Sequence, residues 1–423
     1  MTGTAAEAAD RVTGDAKARR HGVALLVAAS IARYSGQLAV FVVLTRTAGA
    51  ADAGLYAVAL ATAAPVFLVA DMGLKNLWLT LDHRLPFAHY EAVRLVSALA
   101  AVAVVTATAG ILGGALALLL AVSVQKASDA SAELCSGALQ SAGAYRSVLL
   151  GSSGAAAAQV GAAVVVGLAT SEAALTVGAS ALAHALVTAG PVRVAARRAA
   201  RRDPRPTTTV AVRDSVRRVV AAGVPAGAFL ALAALVTTVP QYALGLAGHW
   251  VEAGTLSLLL YVVAAVQIVL SASAQAWLPT ARQLLRGPGL GPAAVLVAAS
   301  RWARGTVPSM ALGLVAAHLL LGPLLGRPLD VGLATAVPLL VVAVVAPVVF
   351  AASAALSVHN RYVAASLAAL AELGPTVALA AALVPGTGLV GALWSYASGV
   401  AAQAAALLVA LLAGRRRSAR VTT

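Results

Sequence analysis

Long apolar runs, bounded by charges, glycines or prolines, alternate with short polar stretches along all 423 residues. A helix needs about 20 mostly apolar residues to cross a bilayer. Cut at its polar boundaries, the chain yields about twelve such runs. They cover residues 22–45, 53–79, 92–110, 113–139, 146–169, 173–195, 216–244, 254–281, 293–322, 331–357, 362–384 and 389–413. The cut around "GILGGA", residues 110–115, is the least sharply marked of these. The pattern predicts an all-α integral membrane protein. Residues 1–21 read as a polar cytoplasmic tail, 22–196 as an N-lobe of six spans and 216–413 as a C-lobe of six. The one long polar connection, "RRAARRDPRPTTTVAVRDSVRR" at 197–218, places an irregular cytoplasmic linker over 197–215. Residues 414–423 form a basic cytoplasmic tail.

The two halves resemble each other. "GAADAG" at 49–54 aligns with "HWVEAG" at 249–254, which matches Asp52 to Glu252 and Gly54 to Gly254. Trp78 and Leu79 match Trp277 and Leu278, and Arg84 matches Arg282. "LQSAGAYR" at 139–146 resembles "LSVHNRYV" at 356–363. The shared order of these matches predicts a duplicated six-span unit. Six spans return the chain to its starting side, so the copies form a parallel repeat about an axis along the membrane normal.

Composition agrees with a lipid solvent. The chain is 61% hydrophobic and 11% charged, with a mean hydropathy of +0.90. Soluble domains carry about 25% charged residues. Its many alanines suit helices that pack closely through small side chains. The net charge of +15 raises the question of nucleic acid, but no soluble domain is present to carry a basic face. The charge follows the membrane instead. With both ends cytoplasmic, 25 of the 30 basic residues fall on the inner side, Arg46 and Arg327 fall in outer loops, and Arg33, Lys75 and Lys126 fall inside spans. That bias sets the orientation and excludes nucleic acid as a partner. The lone Cys135 excludes an internal disulfide and a cysteine-based zinc site. The Gly-rich stretch at 287–292 lacks the Lys-Ser/Thr continuation of a phosphate loop, so no ATP site and no cofactor is expected.

The run "LTRTAGAADAGLYAVALATAAPVFLVADMGL", residues 44–74, resembles the opening of polysaccharide flippases in the multidrug/oligosaccharidyl-lipid/polysaccharide exporter superfamily. The matching positions are Arg46, Gly49, Gly54, Tyr56, Asp71 and Gly73. "VPGTGLVGALWSYASGVAAQ", residues 384–403, is similar to the Gly-rich entry to that family's last span. The resemblance implies two six-helix lobes around a central cavity. It also implies transfer of a polyprenyl-diphosphate-linked sugar between leaflets by alternating access. This chain departs from the family's richest pattern, with few arginines at cavity positions and an aromatic content of 4%.

Charges deep in the spans are the candidate chemistry. A charge at the bilayer centre costs about 2.5–3.5 kcal/mol on insertion scales, so it must face protein, water or a partner. Ser30, Arg33 and Gln37 share one face of the first span. Lys126, Asp129 and Glu133 share one face of the fourth. Arg33 and Lys126 with Asp129 and Glu133 can form an internal salt-bridge network, line a substrate cavity, or do both. The planar fork of Arg33 suits a diphosphate. Asp71 and Lys75, four apart near the cytoplasmic end of the second span, can pair as an interfacial anchor or act as a gate. Their repeat counterparts Ser271 and Gln275, with Gln267, form an uncharged stripe. Glu372 is the one acid in the membrane interior of the second half. It is a proton-coupling candidate or a hydrogen-bonded neutral acid. His184 reads as a packed histidine near midplane. Pro225, Pro240, Pro308, Pro338, Pro347 and Pro375 are kink candidates.

The leading expectation is therefore a plasma-membrane flippase, not an enzyme, for a lipid-linked oligosaccharide of cell-surface polysaccharide biosynthesis. Substrate-binding candidates are Arg33, Gln37, Lys126, Asp129 and Glu133; coupling or gating candidates are Asp71, Lys75 and Glu372. Expected partners are the polyprenyl-diphosphate glycan, anionic lipid headgroups at the basic inner face, and glycosyltransferases or a polymerase of the same pathway. The alternative is a cation- or proton-coupled antiporter of drug-like solutes. A membrane glycosyltransferase or polymerase fits less well, because the short outer loops offer only Asp52, Glu172, Glu252 and Asp330 as acids.

Overall fold

The computed structural model describes residues 4–80, 85–108, 115–203, 212–285, 292–326, 332–358 and 361–421. Among them the chain is all-α. Its helices are α1 (Thr4–Thr47), α2 (Ala50–Asp71), α3 (Leu74–Thr80), α4 (Phe87–Ala107), α5 (Leu116–Ser141), α6 (Tyr145–Thr170), α7 (Ala173–Val187) and α8 (Arg193–Arg202). There follow α9 (Val212–Leu246), α10 (Trp250–Leu285), α11 (Pro292–Ala316), α12 (Gly322–Leu325), α13 (Leu333–Val358), α14 (Tyr362–Thr387) and α15 (Leu389–Val421). Among the described residues, ten stretches are long and apolar enough to cross a membrane. The other two long helices are α5, which carries Lys126, Asp129 and Glu133, and α9. The predicted boundary at "GILGGA" lies largely outside the described residues, as do Arg84, Arg327 and Asp330.

Two polar segments contain helix, and for the linker this differs from expectation. Residues expected to be a polar tail are the first turns of α1, which runs unbroken from Thr4. The expected irregular linker is helical at both ends, in α8 and in the start of α9, while its centre, 204–211, lies outside the described residues. Alternating Arg and Ala are strong helix formers, and propensity outweighs polarity there. α7 reaches α8 through a π-helical turn, Thr188–Val192, where Pro191 lacks the donor an α-helix needs. The helices run on through Pro308, Pro338, Pro347 and Pro375.

The chain divides into two compact units. The first comprises Met1–Val43 and Phe67–Gly227, the second Leu44–Val66 and Ala228–Thr423. Residues 44–66 thus cluster with the second unit, although they fall within the predicted N-lobe. The contacts explain this. The Arg46 guanidinium donates to the carbonyls of Pro323 and Leu324, and Tyr242 Oη donates to Ala61 O at 2.8 Å. Gly54 lies so close to Trp250 that a Cβ would sit 1.7 Å from the Trp250 carbonyl oxygen.

Each unit repeats one pattern of pairing. In the first, α5 packs on α3, α4 and α7, and α7 on α6. In the second, α13 packs on α10, α11 and α15, and α15 on α14. The turns repeat as well. Gly49 N donates to Leu44 O at 3.2 Å, and His249 N donates to Leu244 O at 2.9 Å. Ala144 N donates to Leu139 O and Arg361 N to Leu356 O, both at 2.9 Å. These are the positions matched in the sequence.

The interior is apolar, and the surface, unlike that of a soluble protein, is apolar too. Large apolar side chains such as Leu150 (72% exposed), Leu168 (74%) and Val363 (75%) point outward. The buried set is dominated by alanine. Backbone groups are satisfied inside each helix and the outer face is apolar, as hydrocarbon solvent demands.

Candidate functional site

The break in "ADMGL" builds the site. Met72 (φ 50°) and Gly73 (φ 57°) both lie in the left-handed region, so α2 stops at Asp71 and α3 starts afresh at Leu74. Only glycine takes that conformation freely. α9 presses on the break: a Cβ on Gly227 would sit 2.7 Å from Val69 O, and one on Gly223 would sit 2.7 Å from Met72 Cβ. The break overturns the expected Asp71–Lys75 pair, because i,i+4 spacing aligns side chains only within one continuous helix.

Asp71 instead pairs with Arg94 of α4, whose guanidinium also donates to Asp71 O at 3.1 Å and Ala70 O at 3.3 Å. Arg94 therefore caps the free carbonyls at the end of α2. Read from sequence as a basic residue on the inner side, Arg94 is 3% exposed and is the main residue that sequence reasoning missed. No local signal marks this partner, because it follows from the break after Asp71, where helix carbonyls need donors.

Lys75 turns the other way. α3 lies against α5 at Gly137, where a Cβ would come within 3.1 Å of Lys75 Cγ. Lys75 Nζ reaches Glu133 Oε2 at 2.9 Å. The other Glu133 oxygen accepts from Arg33 of α1. One helical turn away, Asp129 Oδ2 accepts from Gln37 Nε2 at 3.1 Å and lies 3.6 Å from Lys126 Nζ. Asp129 Oδ1 lies 3.6 Å from His184 Nε2, and His184 Nδ1 shares a 2.6 Å hydrogen bond with Ser128 Oγ. α1 can approach closely because Gly36 leaves no side chain between it and α6: a Cβ there would meet Ala156 Cβ at 2.9 Å.

Arg33, Gln37, Lys126, Asp129 and Glu133 thus come together as expected, and Lys75 and His184 join them. The cluster holds three cations, Arg33, Lys75 and Lys126, against two carboxylates, Asp129 and Glu133. It is open to the exterior of its unit: the Arg33, Glu133 and Lys75 side chains are 27–30% exposed. Asp71 stands apart with Arg94.

Glu372 is not part of this cluster. It is buried in the second unit where α14 packs on α15. The helices touch at Gly399, where a Cβ would lie 2.0 Å from Thr376 Oγ1. The buried Tyr396 phenol of the same unit accepts from Gln267 Nε2 at 3.3 Å. Gln267, part of the predicted uncharged stripe, is thus a half-buried partner of the Tyr396 phenol. Among the described residues no three His, Cys, Asp or Glu side chains are placed to hold a metal ion.

No protein-family model matches the chain, and no curated protein matches it by sequence. Solved structures do. The MATE multidrug transporter DinF-BH superposes with a TM-score of 0.61 at 13% identity, over 94% of this chain and 96% of its own. The eukaryotic MATE transporter AtDTX14 gives 0.62 at 14% identity, over 95% and 96%. The lipid II flippase MurJ, in an inward closed conformation, gives 0.52 at 11% identity, over 93% and 86%. The fold is that of the MATE transporters. At these identities the likeness is one of fold.

Proposed function

We propose that the protein is a multi-pass membrane transporter that moves a polyprenyl-diphosphate-linked oligosaccharide across the plasma membrane by alternating access. The observation that carries this reading is the charge balance of the first-unit cluster, three cations to two carboxylates at a partly open site. The carboxylates hold Arg33, Lys75 and Lys126 in place while the net positive charge favours an anion. Arg33 has five N–H donors in a planar fork, and a diphosphate can replace Glu133 as their acceptor. The prenyl chain would stay in lipid while sugars and diphosphate cross. An electrochemical gradient or downstream consumption of the product would supply the drive.

A second reading is an antiporter of drug-like cations. It is favoured by the MATE multidrug transporter among the structural neighbours and by the carboxylates Asp129, Glu133 and Glu372. One experiment separates the two. Proteoliposomes would be assayed for flipping of a fluorescent polyprenyl-diphosphate glycan and, separately, for proton-driven uptake of a lipophilic cationic dye. The expected result is flipping by the wild type that falls about tenfold or more in Arg33→Ala, the scale of one lost charge-assisted contact. Undiminished flipping in the variant removes Arg33 from this role. Dye uptake without flipping selects the antiporter.

A further inference from the structure

In the second unit, α10 and α11 close on each other at Gly313, where an added Cβ would lie 2.6 Å from Val262 Cγ1. Towards the start of α11 they leave a groove of about 420 Å³. Its walls include Ala265, Val266 and Val269, with Val269 59% exposed. Gly305 lies on its floor, and a Cβ there would meet nothing within 4 Å. The absence of a side chain at Gly305 leaves the groove open, whereas the Gly313 contact closes its far end.

Arg301 and Trp302 stand at the other end. Trp302 is fixed edge-to-face against Trp277, with ring centroids 6.0 Å apart. Arg301 is exposed, and among the described residues no carboxylate pairs with it. In the first unit, by contrast, Arg94 holds Asp71, and Arg193 and Arg197 share Glu91. Arg301 lies nine residues after Pro292, about 14 Å along the helix from its start. The Arg and Lys bias puts that start on the cytoplasmic side. An aromatic anchor and a snorkelling cation are the pair expected at a headgroup boundary.

We propose that this groove binds one anionic phospholipid of the inner leaflet, with an acyl chain along Ala265, Val266 and Val269 and its phosphate on Arg301. Charge complementarity selects the occupant. An unpaired guanidinium at the mouth of an apolar groove calls for a ligand that is anionic at one end and hydrocarbon at the other. A bidentate Arg–phosphate contact supplies the headgroup preference. The site is separate from the first-unit cluster, and lipid binding can be read without any transport assay.

The test uses the full chain in phosphatidylcholine nanodiscs. Electron paramagnetic resonance would report the motionally restricted fraction of spin-labelled phosphatidylglycerol and, separately, phosphatidylcholine. The wild type is expected to prefer phosphatidylglycerol. Arg301→Gln, an exposed and conservative change, is expected to weaken phosphatidylglycerol binding about tenfold and leave phosphatidylcholine unaffected. Gly305→Leu fills the floor and is expected to lower the restricted fraction of both lipids. Wild-type selectivity in Arg301→Gln would overturn the proposal, as would unchanged restriction in Gly305→Leu. Competition by soluble glycerol 3-phosphate as strong as that by the lipid would also overturn it, since it would assign the contact to a free phosphate.

Discussion

Glu133 joins two cations from different helices, so removing its charge tests whether the cluster is one cooperative unit. Lys75 Nζ lies 2.9 Å from Glu133 Oε2. At an effective dielectric constant of about 20, Coulomb attraction at that separation is about 6 kcal/mol gross. Desolvation of the two partly exposed ions offsets most of this. Both side chains keep more than a quarter of their exposure, which screens the pair further. The net coupling that remains is about 1–2 kcal/mol. Glu133→Gln keeps the shape but leaves Arg33 and Lys75 facing each other without the carboxylate. Lys75→Gln removes one of the two repelled charges. A double-mutant cycle of wild type, each single variant and the pair, followed by reversible unfolding in mixed micelles, measures the coupling. The double variant is expected to be about 1–2 kcal/mol more stable than the sum of the single losses. Losses that add to within about 0.5 kcal/mol would refute the reasoning, because sites that do not interact behave additively.

Three further outcomes are expected by the same unfolding measurement. Arg94→Ala strands the Asp71 carboxylate and the last carbonyls of α2, and is expected to destabilise by about 3–5 kcal/mol; Asp71→Asn in that background should recover part of the loss. Ser171 ends α6 at φ 55° and is exposed, so Ser171→Gly is expected to stabilise by about 1 kcal/mol. Gly54→Ala would place a Cβ 1.7 Å from Trp250 O, so backbone must move, at a cost of about 3 kcal/mol or more. Wild-type stability of that variant would show that the two backbones do not meet.

The sequence alone determined the class of fold. Hydrocarbon solvent forces every span to satisfy its own backbone and to be apolar for about 20 residues, a constraint readable one residue at a time. It also placed Arg33 and Gln37 on one helix face and Lys126, Asp129 and Glu133 on another, because helical spacing is local. The two faces meet in the structure. The duplicated turns at Gly49 and His249 were legible for the same reason. Partner choice between helices was not. Lys75 pairs with Glu133 and Asp71 with Arg94 because two left-handed residues break the helix between them. Whether Met72–Gly73 breaks or continues a helix depends on α9 pressing its glycines against that point. The clustering of residues 44–66 with the second unit, and the groove left open at Gly305, likewise depend on how closely backbones approach across helices. Tertiary packing sets those distances, and no spacing along the chain encodes them.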